Sequence, residues 1–125
     1  MDSVSSVENL NETIKKYYRR NRSLVDTISK CQGSVEKAAR SITKAATHCG
    51  CIEFCAKKQP PGLEEEVPIL LSGKLCSGCQ DEIEKNIGQS IFYLFSLCYV
   101  LGLDVEAIME EEVQRVKTLG KFNLR

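Results

Sequence analysis

The sequence predicts an all-α protein built as a four-helix bundle, and three observations carry that prediction. Apolar residues recur at steps of three and four along four separate stretches. Capping and stop residues stand between those stretches. All three prolines fall within one connection, residues 58–75.

The first helix is expected over about residues 5–31. Val7, Leu10, Ile14, Tyr17, Leu24, Ile28 and Cys31 form a continuous seam, with Asn21 in its one polar position. Gln32-Gly33 supplies a stop, glycine being suited to the left-handed position after a helix. Ser34 then caps a second helix, about 34–57. Its apolar stripe is Val35, Ala38, Ile42, Ala45, Ala46, Cys49 and Ala56, small side chains that favour close approach to a neighbour. Pro60-Pro61-Gly62 ends the run.

Residues 58–75 read as the linker, with an acidic run Glu64-Glu65-Glu66 and an apolar patch Val67-Pro68-Ile69-Leu70-Leu71. That patch fits an ordered flap on the bundle as well as a free linker, because exposed aliphatics are costly. Ser77, with Gln80 three residues on, has the capping-box pattern and opens a third helix, about 77–101. Ile83, Ile87, Ile91, Leu94, Phe95, Cys98 and Leu101 make its apolar face. Gly102 ends it, and Asp104 caps a fourth helix, about 104–119, whose inner face is Val105, Ile108, Val113, Val116 and Leu119. Residues 120–125 are expected to be irregular. The whole is one domain, 1–125, and its first helix has more apolar surface than three short partners can cover. A homo-oligomer is therefore expected.

Lys plus Arg and Asp plus Glu both total 17, so no chain-wide basic field exists to attract nucleic acid or an anionic membrane. Lys15, Lys16, Arg19, Arg20 and Arg22 read as a solvated helix face, and Glu110-Glu111-Glu112 as acids suited to a helix N-terminal dipole. No apolar run approaches the ~20 residues that span a bilayer. The start, Met1-Asp2-Ser3-Val4-Ser5-Ser6, lacks the basic and apolar regions of a secretory signal. A cytoplasmic location is the expectation.

Seven cysteines in 125 residues is the abnormal figure. An odd count prevents complete pairing, and cytoplasmic thiols stay reduced, so a disulfide framework is disfavoured. Metal binding, redox chemistry and core packing remain. Five of the seven fall between Cys49 and Cys79, too close a cluster for packing alone. Structural zinc takes four tetrahedral nitrogen or sulfur ligands, and Cys76-Ser77-Gly78-Cys79 has the Cys-x-x-Cys spacing that supplies two. Cys79 falls at a helix start, where free N–H groups favour thiolates. On a regular second helix His48, Cys51 and Cys55 share an arc of about 60°. Cys49 then lies about 100° away in the apolar stripe and joins Cys31 and Cys98 as a core residue. The candidate zinc ligands are thus His48, Cys51, Cys55, Cys76 and Cys79, with the choice between Cys51 and Cys55 left open. Cys76 and Cys79 also resemble a thioredoxin-type redox pair, but no strand pattern precedes them. A Cys-His catalytic dyad at His48 ranks below metal binding, since no oxyanion loop accompanies it.

Asp81-Glu82-Ile83-Glu84-Lys85-Asn86-Ile87-Gly88-Gln89-Ser90-Ile91-Phe92-Tyr93-Leu94 resembles the second metal helix of MazG-like all-α nucleoside triphosphate pyrophosphohydrolases. The stretch from Leu97 to Ile108 is similar to that family's turn into its last helix, and Ala46-Thr47-His48-Cys49-Gly50-Cys51 to its first metal helix. The resemblance spans about residues 35–120. It implies a MazG-like bundle, dimeric or tetrameric, with sites built between subunits. It also implies carboxylate pairs that hold Mg²⁺ against nucleotide phosphates. At the matching positions, however, stand His48 and Cys51, then Asn86 and Gln89, so the carboxylates are missing. Soft ligands in place of hard ones favour zinc over magnesium. Arg115 and Lys117 are the residues the resemblance offers for holding phosphates.

The expectation is therefore a catalytically degenerate MazG-like protein with a Cys/His zinc site, a binding or structural module retaining a nucleotide-sized cleft. The alternative is a divergent metal-dependent nucleoside triphosphate pyrophosphohydrolase, using Mg²⁺ with Glu82, Glu84 or the 64–66 acids. A thiol redox sensor comes third.

Overall fold

A computed structural model of the chain describes residues 5–18, 23–54 and 71–123. It is mostly helical, with helix over 82% of the described residues, and it carries four α-helices. These are α1 (Ser6–Tyr17), α2 (Leu24–Lys44), α3 (Ser77–Leu101) and α4 (Val105–Asn123). A π-helical turn, Ala45–Cys49, follows α2 directly. Two short strands, β1 (Ile52–Phe54) and β2 (Leu71–Gly73), pair antiparallel, with Ile52 opposite Gly73 and Phe54 opposite Leu71.

The expected first helix of 5–31 is not continuous. Ser5 opens α1 with a capping box, its Oγ accepting from Glu8 N–H at 3.1 Å while Glu8 reaches back to the Ser5 N–H. The helix stops at Tyr17, and Tyr18 turns to extended backbone. Tyr18 is anchored there: its hydroxyl lies 2.6 Å from Thr27 Oγ1, and its ring meets Tyr99 edge-on at 6.0 Å. α2 then starts behind Ser23, whose Oγ accepts from Asp26 N–H at 2.9 Å. That cap signal is hidden inside an uninterrupted heptad pattern. Arg19, Arg20, Asn21 and Arg22 lie outside the described residues.

The stop expected at Gly33 is also corrected. α2 runs through Gly33 and Ser34 to Lys44, and Ser34 is buried inside the helix instead of capping it. Glycine in a helix interior costs about 1 kcal/mol relative to alanine, which packing can offset. Gly120 behaves likewise inside α4, which continues to Asn123 where irregular chain was expected. Past Cys49 the second helix does not extend to 57: the chain leaves the helix at Gly50 and forms β1 over Ile52–Phe54, while 55–70 lie outside the described residues.

The caps around α3 and α4 follow the sequence signals more closely. Gly102 adopts φ +72°, and the chain end bonds back in a Schellman pattern, Leu103 N–H to Cys98 carbonyl and Gly102 N–H to Tyr99 carbonyl. Asp104 Oδ1 accepts from Ala107 N–H at 3.2 Å and caps α4.

The chain divides into two compact units, Met1–Cys31 with Ile91–Arg125, and Gln32–Ser90. The first buries Ile14, Cys31 and Val105 together with Thr27 and Ser96; Ser96 donates to the Phe92 carbonyl. The second is built around Ala45, Ile52 and Ile83, against which Ala46, Leu75, Cys51 and Cys79 pack. Two thiols, Cys51 and Cys79, thus border a small apolar core. Among the described residues, no single helix is long and apolar enough to cross a membrane.

Candidate metal centre

Three local devices in the second unit bring cysteines together. The first is the π turn. Gly50 N–H bonds the Ala45 carbonyl at 2.9 Å, five residues back, and Gly50 adopts φ +80°. The left-handed glycine ends the helix and swings the chain out so that Cys49 and Cys51 flank a sharp corner. π turns of this kind are rare and occur often at functional sites.

The second device is the β1–β2 pairing, which returns the chain to that corner. Gly73, at φ +87°, lies against the Cys51 backbone: a Cβ on it would stand 2.5 Å from the Cys51 carbonyl oxygen and 3.3 Å from Ile52 Cα. Only glycine permits this approach. From Gly73 three residues lead to Cys76.

The third device is the start of α3. Sequence analysis placed the cap at Ser77, but Cys76 occupies it: Gln80 N–H bonds the Cys76 carbonyl at 2.9 Å, and Cys79 N–H donates to Cys76 Sγ at 3.4 Å. A sulfur therefore fills the position where an N-cap oxygen normally sits, among N–H groups that favour a negative charge.

The result is a four-thiol cluster. The Sγ atoms of Cys49, Cys51, Cys76 and Cys79 all lie within 4.8 Å of one another. Cys49 and Cys76 are exposed and their sulfurs are 3.8 Å apart, while Cys51 and Cys79 are half-buried. A tetrahedral site with metal–sulfur bonds of about 2.3 Å has S–S edges of about 3.8 Å. A disulfide needs about 2.05 Å. The Cys49–Cys76 edge therefore matches metal thiolates, and four sulfurs within 4.8 Å of one another could hold a metal ion.

The electrostatics fit the same chemistry. The Cys79 backbone N–H, and then the Cys79 and Cys49 thiols, stabilise the Cys76 thiolate and lower its pKa to about 7. Cys79 is pushed up to about 12, first because its thiol bonds Cys76 and then by desolvation. Cys49 is raised too, chiefly by its bond to Cys76. In the absence of a cation, four sulfurs this close cannot all ionise, and the charge settles on the helix-capping one. A divalent cation at their centre would remove that conflict.

No protein-family model, curated protein or solved structure matches the chain.

Of the residues singled out from sequence, Cys51, Cys76 and Cys79 are in the cluster. His48 is not: it is exposed, and its Nδ1 lies 3.0 Å from the hydroxyl of Thr47. Cys55 lies outside the described residues. Cys49, assigned to the core, is instead exposed and a member of the cluster. The helical-wheel argument failed because it assumed regular helix to residue 57, whereas the π turn and Gly50 end that geometry before Cys51. The signal that could have found Cys49 is the pair of short spacings around glycine, Cys49-Gly50-Cys51 and Cys76-Ser77-Gly78-Cys79. Of the other two thiols read as core, Cys31 is buried and Cys98 is half-buried, its pKa raised by burial.

Beside the cluster, α2, the π turn and α3 line an open cleft of about 630 Å³. His48, Asn86 and Gln89 line it together with Cys49, Cys79 and Glu82. Asn86 is buried, its Nδ2 3.5 Å from the Lys37 carbonyl oxygen. Arg115 and Lys117 are on α4, within the other unit; Arg115 is paired with Glu112. Glu84 accepts from Gln80 Nε2 at 2.9 Å.

Proposed function

We propose that this chain is a zinc-stapled helical module of MazG-like descent that binds rather than hydrolyses. The observation that carries the reading is the four-sulfur cluster with its 3.8 Å Cys49–Cys76 edge. Among first-row metals, an all-thiolate tetrahedral set suits zinc. Its ligands come from the end of the α2 π turn, the entry to β1 and the start of α3. Zinc there would tie together segments whose shared apolar core is only a few residues, and folding of such small units is commonly linked to metal.

The positions that resemble the MazG-like metal helices support loss of catalysis. His48, Asn86 and Gln89 line one cleft, and among the described residues Glu82 is the sole acid in its lining. Magnesium chemistry on nucleotides relies on several charged oxygens, which this lining does not offer. Self-association belongs to the same reading. Ile108, Met109, Val113, Val116 and Leu119 on α4 each remain more than 40% exposed, and a second copy of the chain would cover them.

The test is thermal unfolding of chain purified with zinc, before and after a strong chelator, beside a magnesium-dependent nucleotide hydrolysis assay. Chelation should lower the melting temperature, zinc should restore it, and no hydrolysis above background should appear. Identical melting curves, or turnover with magnesium, would contradict the proposal.

A further inference from the structure

The four clustered cysteines are held in two different ways. Cys51 and Cys79 pack against the small core of Ala45, Ile52 and Ile83. Cys51 Sγ also donates to the Ala45 carbonyl at 3.8 Å, so its proton has an acceptor at hand when no metal is bound. Cys49 and Cys76 are exposed, and their sulfurs are neighbours at 3.8 Å. They form the one pair in the cluster with both members open to solvent.

The backbone beside each exposed sulfur has room to shift. Cys49 ends the π turn against Gly50, where an added Cβ would meet nothing within 4 Å. Cys76 lies just ahead of α3, in residues 74–76, which belong to no helix or strand. Closing these sulfurs from 3.8 Å to the disulfide length of about 2.05 Å is therefore a small local movement. A bond to Cys51 or Cys79 would instead draw a sulfur away from the apolar core it covers.

We propose that Cys49 and Cys76 are the site of a reversible oxidative switch: hydrogen peroxide joins them in a disulfide and zinc leaves, while Cys51 and Cys79 remain thiols. The inference rests on the zinc-staple reading and names how that site is regulated. One exposed thiolate attacks a peroxide oxygen; the O–O bond breaks, and the sulfur becomes a sulfenic acid as one water leaves. The other thiolate attacks that sulfur; the S–S bond forms, the S–O bond breaks, and the oxygen leaves as a second water. Two electrons pass from the sulfur pair to the peroxide. One zinc tetrathiolate, one hydrogen peroxide and four protons thus yield one disulfide, two thiols, one zinc ion and two waters. Two ligands remain where structural zinc takes four, so the ion is released. Zinc ligation slows the attack, yet a bound sulfur keeps thiolate character, and this edge is open to a molecule as small as hydrogen peroxide.

The new bond spans 27 residues and keeps the π-turn corner joined to the start of α3. A cross-link of that kind restrains the unfolded chain. The oxidised, zinc-free chain is therefore more stable than the reduced, zinc-free one.

To test this, zinc-loaded full chain is treated with hydrogen peroxide, zinc is followed with a colorimetric indicator, and disulfides are mapped by mass spectrometry after alkylation. Zinc release should keep step with a Cys49–Cys76 link inside one chain, with Cys51 and Cys79 alkylated. Dithiothreitol with added zinc should reverse both changes, and the oxidised chain should melt above reduced, chelated chain. Cys55→Ser should release zinc at the parent rate. A Cys76–Cys79 link, any link through Cys55 or between two chains, or slower release from Cys55→Ser would overturn the proposal. Oxidation that stops at single sulfurs, or zinc retained through excess peroxide, would do the same. Zinc content before oxidation separates the two readings. A zinc-loaded parent that fails these checks loses the switch and keeps the staple, whereas a parent without zinc loses both.

Discussion

Replacing Cys49 by serine removes one of four sulfurs that lie within 4.8 Å of each other, and leaves three ligands where structural zinc takes four. Cys49→Ser should therefore lose bound zinc and melt at lower temperature, read by elemental analysis and circular dichroism. His48→Ala should keep its zinc, because the His48 ring is turned to Thr47 and takes no part in the cluster. Reactivity offers a second view of the same atoms. In the metal-free chain the Cys76 thiolate forms as pH rises through about 7, whereas Cys79 keeps its proton to about 12. Alkylation by iodoacetamide, mapped by mass spectrometry, should then strike Cys76 before Cys79 and accelerate between pH 6 and 8. Zinc should protect both.

At the scale of elements, the cluster depends on how α2 ends and how β2 returns. Gly73→Ala places a Cβ against the Cys51 carbonyl and forces a side chain into positive φ. Strain of that type costs about 1–3 kcal/mol, before the clash with backbone is counted. A lower melting temperature and weaker zinc retention against a competing chelator are the expected outcomes. Ser23→Ala removes the α2 cap and should cost about 1 kcal/mol in denaturant unfolding with no change in zinc content. These two sites also show what the sequence could and could not convey. The all-α character was legible from apolar spacing, and the end of α3 and the start of α4 from Gly102 and Asp104, whereas the first two helices were divided at the wrong place. The break between α1 and α2 was not legible, because the heptad seam runs through it and Ser23 reads as one more helical serine. The π turn was illegible for a different reason: it is closed by the Gly50 N–H on the carbonyl of buried Ala45, and no residue type there encodes a five-residue turn. Its consequence was the misplacement of Cys49 by a single assumed helix geometry. Strands of three residues are likewise too short for their alternation to stand out.

At the scale of the whole molecule, the cysteine cluster belongs to one compact unit and the exposed apolar face of α4 to the other. Self-association gives one check at this scale. Sedimentation of the zinc-loaded chain should show a dimer or larger species, and V113E/V116E on the exposed α4 face should shift it toward monomer. A monomeric parent would remove the second copy from the account. The crowding of five cysteines between Cys49 and Cys79 and the Cys76-x-x-Cys79 spacing were visible in the sequence; that Cys49 joins Cys51, Cys76 and Cys79 in one cluster required the fold.

The most direct measurement is zinc X-ray absorption, with metal quantified per chain, on protein purified without added metal or chelator. The account predicts one zinc per chain surrounded by four sulfurs at about 2.3 Å. A nitrogen at about 2.0 Å would bring His48 back as a ligand and contradict the four-cysteine site, and the absence of any transition metal would contradict the staple itself.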